Sequence, residues 1–130
     1  MYILYNMKSF NPKTDETEMR KFGAIHENKE HEKLNEIFGL LKKHKERFSI
    51  FDFSNEKYIV ELKTRTNKYD EYPTTAVSMN KIDYEDNRAK VFIFKFTDGI
   101  YRWNNDTEYE TGLLFDKPHA FIDINNLIKI

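Results

Sequence analysis

The chain has 130 residues, a third of them charged, and its 21 Lys and Arg against 22 Asp and Glu give a formal net charge of −1. That balance argues against a protein that coats duplex nucleic acid non-specifically, which needs a basic excess, while leaving room for a local basic patch. There is no Cys, so a disulfide framework, a thiolate metal site and a thiol nucleophile are excluded and the redox compartment stays open, while 11 Phe, 8 Tyr and one Trp supply core material for a single domain over residues 1–130.

Residues 1–22 read as an N-terminal arm. Met1 to Met7 is apolar but short, lacks a basic front end and runs into polar sequence, so secretion is not indicated and an intracellular protein is expected. No apolar run approaches membrane-spanning length, and no membrane partner is expected. Asn11 to Glu18 is a polar loop with Pro12, and Thr17 or Asp15 could cap a short helical entry.

From about Ala24 to Glu46 the pattern turns helical, with Leu34, Ile37, Phe38 and Leu41 spaced by three and four. Projecting this stripe back by seven and four residues from Leu34 reaches Glu27 and Glu30, so either carboxylate could face a neighbouring sheet. Against that stands the plain reading, in which a helix laced with Glu and Lys solvates its outer face. His26, His31 and His44 share no helical face at ligand spacing, which disfavours zinc. With four Gly and no Gly-rich phosphate loop a nucleotide-binding fold is disfavoured, and no nucleophile elbow suggests a serine hydrolase.

The segment 48–65, FSIFDFSNEKYIVELKTR, predicts a β-hairpin with Ser54-Asn55-Glu56-Lys57 as its loop. That loop pairs Phe53 with Tyr58 and puts Phe51, Phe53, Tyr58, Val60 and Leu62 on one face, to be buried against a helix. The other face carries Ile50, Asp52, Ile59, Glu61, Lys63 and Arg65. Asp52, Glu61 and Lys63 thereby gather on one surface. Two carboxylates can hold a hard cation such as Mg²⁺ or Mn²⁺, with water and a substrate phosphate completing the shell. An adjacent ammonium can activate water or stabilise charge on the phosphate. The competing interpretation is an ordinary cross-strand ion pair on a solvated sheet face.

After the hairpin, Thr66 to Tyr72 reads as a loop, and Pro73-Thr74-Thr75 as the start of a second helix over Ala76 to about Tyr84. Arg65, Lys68 and Lys81 could form the local phosphate-binding patch, with Tyr69 or Tyr72 stacking on a base, although for the tyrosines the plain reading is preferred. Ala89 to Phe96 alternates cleanly, with Val91, Ile93 and Lys95 opposite Phe92, Phe94 and Phe96; Asp98-Gly99 turns it into Ile100 to Trp103. Asn104 to Gly112 is a polar excursion, His119 to Ile124 a further strand, and Asn125 to Ile130 a short helix or tail.

Asp52 on one strand and Glu61-Leu62-Lys63 on the next resemble the motif of the PD-(D/E)XK nuclease superfamily, with spacing like that of archaeal-type Holliday-junction resolvases. Phe51 stands where the motif's Pro would be. Glu61-Leu62-Lys63-Thr64-Arg65 followed by Tyr72-Pro73-Thr74-Thr75 also looks similar to small viral and phage nucleases. The resemblance spans Gly23 to about Lys81. It implies an α/β (α+β) fold with a mixed central sheet flanked by helices, the restriction-endonuclease-like αβββαβ core, over residues 23–97, leaving 98–130 as a C-terminal hairpin and strand. The third early strand then has to come from elsewhere, with the N-terminal arm as the candidate. The run Gly23-Ala24-Ile25-His26-Glu27 resembles the resolvase-like Gly-x-x-x-Glu start and makes Glu27 the first choice for an outer metal ligand, ahead of Glu30. The helix after Glu-x-Lys often supplies a substrate contact, which by position is Lys81, with Asn80 and Ser78 behind it.

The expectation is a Mg²⁺- or Mn²⁺-dependent nuclease with Asp52 and Glu61 on the metal, Lys63 assisting catalysis, and Arg65, Lys68 and Lys81 binding substrate. DNA is preferred over RNA by family analogy, and a homodimer is compatible with the resemblance. The alternatives are a degenerate member that binds nucleic acid or protein without cleavage, and an interaction module whose three residues form a plain ion-paired face.

Overall fold

The structure is a computed structural model that describes residues 30–44 and 50–130. The described residues form an α+β fold with few helices and a mixed sheet. Helix α1 covers residues 30–38 of the described chain. It ends at Gly39, whose φ of +85° suits a residue without a side chain and whose N–H still reaches the Asn35 carbonyl at 3.0 Å. The chain then goes straight into strand β1 (Lys42–Lys43), followed by β2 (Phe53–Ser54) and β3 (Tyr58–Thr64). Residues 42–43, predicted to be helical, are thus strand, because Gly39 stops the helix. Residues 1–29, including the N-terminal arm from which an early strand was expected, lie outside the described residues.

The main sheet has the order β1-β2-β3-β5-β6-β9, where β5 is Ala89–Phe96, β6 Gly99–Trp103 and β9 Ile128–Lys129. Strands β1, β2 and β3 form an antiparallel meander, whereas β3 and β5 run parallel, Glu61 opposite Phe92 and Lys63 opposite Phe94. A parallel pair requires a crossover. Here the crossover contains β4 (Thr74–Ser78) and a single helical turn, α2 (Met79–Ile82). Of the helix predicted over Ala76 to Tyr84, only Met79–Ile82 is helical, and its first three residues belong to β4. Thr74, Thr75 and Val77 are β-branched, and β4 pairs along its length with β8 (Lys117–Asp123). Pro73 opens a strand as comfortably as a helix, since neither first position needs its N–H.

Strands β4, β8 and β7 (Glu110–Leu114) make a second, three-stranded sheet. The last third of the expected polar excursion is thus strand, and the expected C-terminal helix or tail is a 3-10 turn, Ile124–Asn126, leading into β9. Phe96 pairs with Gly99, so the turn of the β5–β6 hairpin is Thr97-Asp98, one residue earlier than the Asp-Gly signal implied.

The layers follow from alternation along the strands. Phe53, Val60, Leu62, Val91 and Ile93 point to one side and pack with Leu34, Phe38 and Leu41 at α1. Phe92, Phe94 and Phe96 point to the other, where they meet Val77, Ala120 and Ile122 of the second sheet and Ile82 of α2. Burying the Phe53 side chain completely contributes about 2–3 kcal/mol. Strand β3, covered on both faces, cannot have the solvated face that a lone hairpin would. Anything charged on its second-sheet side has to find a partner.

Candidate functional site

The hairpin pairs two residues out of the expected register, with Phe53 opposite Val60 and Ser54 opposite Ile59. A slip of two preserves parity, and it brings Asp52 level with Glu61 instead of with Ile59. Asn55 sets this register: its side-chain oxygen accepts from the backbone N–H groups of Lys57 and Tyr58 at 2.9 and 2.8 Å, while its amide donates to the Phe38 carbonyl at the end of α1. Regular pairing of β2 with β3 stops there. The Asp52 N–H still donates to the Val60 carbonyl, but its side chain then takes over from the backbone, Oδ2 accepting from the Leu62 N–H at 2.8 Å. The bend at Phe51 and Asp52 turns the Phe51 ring to the second-sheet side, where it meets Phe92 and Tyr84, and not to the helix side expected for it.

Glu61 is the centre of the site and is buried, 3% exposed. Its Oε2 is 2.8 Å from the Lys63 ammonium and its Oε1 3.4 Å from the Lys81 ammonium, which also donates to the Ile50 carbonyl. Its carboxyl group also lies within hydrogen-bonding reach of Asp52. Burial pushes the Glu61 carboxyl up, but Lys63, Lys81 and the hydrogen bonds from Lys63 and Asp52 outweigh it and hold the group below the usual range. It is thus a charged carboxylate inside the fold, a combination that needs the counter-charges present. Lys63 is one-third exposed and so spans the interior and the surface.

The three cations expected as a phosphate-binding patch are engaged differently. Arg65 is buried, its Nε and guanidinium donating to Thr75 Oγ1 at 3.2 Å and to the Ala76 carbonyl at 2.7 Å, which ties β3 to β4. Burial lowers its pKa to about 10 despite the opposing pull of Glu61. Lys81 faces inward to Glu61, its side chain 17% exposed, and Lys68 is exposed in the loop after β3. Tyr69 stacks flat on Tyr101 at 4.0 Å and donates to the Ile124 carbonyl, so its ring is already occupied. Glu27 lies outside the described residues. Glu30 is half-buried at the start of the described part of α1.

Beyond these, the same sheet face holds a feature absent from the expectations. His44 Nε2 and Ser54 Oγ are 2.6 Å apart, at the rim of a cavity of about 290 Å³ also lined by Ile50, Phe51, Ile59, Tyr84 and Arg88. Ser54 and Ile59 lie two residues along the chain from Asp52 and Glu61, about 7 Å of extended backbone. Ser54 shares its parity with Asp52, which is the signal that could have placed it. His44 gave none, because its segment read as helix.

The set of hard oxygens offered by Asp52 and Glu61 fits Mg²⁺ or Mn²⁺, and a cationic ammonium already lies against it. Among the described residues no group of three or more His, Asp or Glu forms a fuller metal cluster. No helix among them is long and apolar enough to cross a membrane. No protein-family model, curated protein or solved structure matches the chain.

Proposed function

We propose that this chain is a Mg²⁺- or Mn²⁺-dependent nuclease of the PD-(D/E)XK type that hydrolyses phosphodiester bonds, with DNA the preferred substrate. The single observation that carries the reading is the approach of the Asp52 and Glu61 carboxyl groups across the β2–β3 hairpin with Lys63 on Glu61 at 2.8 Å. The architecture supports it: helix, antiparallel three-stranded meander and a parallel strand reached by a crossover follow one another as the αβββαβ core requires. The departure is the crossover, where one turn of helix and a strand stand in place of a full second helix.

Asp52 and Glu61 would hold the cation, whose chemistry is to polarise a phosphoryl oxygen and lower the pKa of a water nucleophile. Asp52 is oriented for this by the Leu62 N–H. Lys63 keeps Glu61 ionised, and its exposed end is placed to donate to a phosphate oxygen as charge builds there. Exposed Lys68 adds attraction for the nucleic-acid backbone.

One observation favours the second reading, a nuclease fold that binds nucleic acid or protein without cutting it: both Glu61 oxygens are held by ammonium groups. Cleavage of branched, duplex and single-stranded DNA with Mn²⁺, by the native chain beside Asp52→Asn and Lys63→Met, separates the two. The nuclease reading expects cleavage that falls at least 100-fold in each variant. Binding of DNA without cleavage of any substrate supports the second reading.

A further inference from the structure

Lys63 alone would neutralise Glu61, yet a second ammonium is brought to the same carboxylate from a different element. Lys81 Nζ lies among three groups that attract cations and come from two segments: Glu61 Oε1 on β3, the Ile50 carbonyl oxygen ahead of β2, and the face of the Phe51 ring 5.6 Å away. A carboxylate oxygen and a backbone carbonyl oxygen converging on one point are donors of the kind a hard divalent cation takes. Asp52 lies within hydrogen-bonding reach of the same carboxyl group.

Resting on the nuclease reading, we propose that Glu61 Oε1 and the Ile50 carbonyl form part of the seat of the divalent cation and that Lys81 fills this seat until metal and substrate arrive.

Charge balance makes the exchange specific. Lys63 and Lys81 already bring two positive charges to the buried Glu61 carboxylate. A divalent cation added beside both lysines crowds positive charge into a largely buried space, and departure of Lys81 to solvent relieves it. The phosphodiester of a bound nucleic acid supplies further negative charge. Loading of metal, release of Lys81 and arrival of substrate are thereby coupled, and the coupling is reciprocal. The lysine is able to leave: it sits on a single helical turn whose neighbours Asn80 and Asp83 are exposed, and its four-carbon stem can extend past them into water.

Mn²⁺ binding, measured by electron paramagnetic resonance on the native chain, Lys81→Met and Glu61→Gln without nucleic acid, tests this. The expected result is at least tenfold tighter binding by Lys81→Met than by the native chain and loss of the site in Glu61→Gln. Equal affinity of the native chain and Lys81→Met, with loss in Glu61→Gln, overturns the exchange and leaves the nuclease reading standing. No binding by either overturns both. A second measurement needs no variant: the ¹⁵Nζ resonance of Lys81 in the native chain should move to the position of a solvent-exposed lysine as Mg²⁺ saturates, and a resonance unchanged at saturation overturns the proposal.

Discussion

Replacing Glu61 with Gln removes one charge and almost no volume, and it tests whether the buried carboxylate is held by its lysines. At an effective dielectric near 20, the pairs at 2.8 and 3.4 Å each represent about 5–6 kcal/mol of Coulomb attraction. Burying the carboxylate opposes this by several kcal/mol, and the contribution of one-third-exposed Lys63 is reduced by solvent screening. What remains is a loss of about 3 kcal/mol, at the low end for breaking a buried ion pair. Urea unfolding followed by fluorescence of Trp103, the single tryptophan and fully buried, reads this as a lower midpoint at unchanged slope. A loss below about 1 kcal/mol would refute the claim that Lys63 and Lys81 are held in place by the Glu61 charge.

The same carboxylate sets a pH dependence. Its folded pKa lies below the ordinary 4.5, so the unfolded chain takes up the proton first, and the stabilisation is full above that value and fades as pH falls below it. The stability gap between the native chain and Glu61→Gln should therefore narrow in urea titrations run from pH 6 to pH 3. Gly39→Ala should destabilise by about 1 kcal/mol in the same assay, because a φ of +85° is costly for a residue with a Cβ even though that Cβ would meet only the Asn55 amide nitrogen, at an ordinary 3.7 Å. At the β7–β8 turn Phe115 and Asp116 both have positive φ, 55° and 59°, and Asp116→Gly should raise the stability by about 1 kcal/mol. A thermal melt shifted downward by Asp116→Gly would contradict that.

Alternation carried a good deal of this structure in plain view. The split of β5 between Val91 and Ile93 on one side and Phe92, Phe94 and Phe96 on the other follows from period two, as does the gathering of Asp52, Glu61 and Lys63 on the face opposite Phe53 and Val60. The loop length was misjudged because Asn55 bonds three partners at once, a contact no local pattern announces, and Asp52, Glu61 and Lys63 still share a face because a slip of two keeps parity. The second sheet was hidden for a different reason. Strand β4 takes its identity from pairing with β8, distant in sequence, while Pro73 offered a helix start, and the β7–β8 turn lacks the Asn-Gly signal that normally marks one. Arg65 looked like a surface cation because nothing in its own segment shows that β4 will cover it.

The crossover also fixes an order of events during folding. Hairpin β2–β3 closes a short loop, so Asp52 and Glu61 meet while the chain is still largely open. Lys81 comes later, since α2 is positioned through β4 and its partner β8, which lies near the far end of the chain. This second ammonium thus joins a carboxylate that already has Lys63 beside it, and in stopped-flow chevrons Lys81→Met should speed unfolding while leaving the folding limb where it is. A slowed folding limb would mean that the two sheets dock before the hairpin has finished forming. By this order, the acidic pair is assembled first and locked second, so the step that completes the interior is also the one that seals the charges inside it.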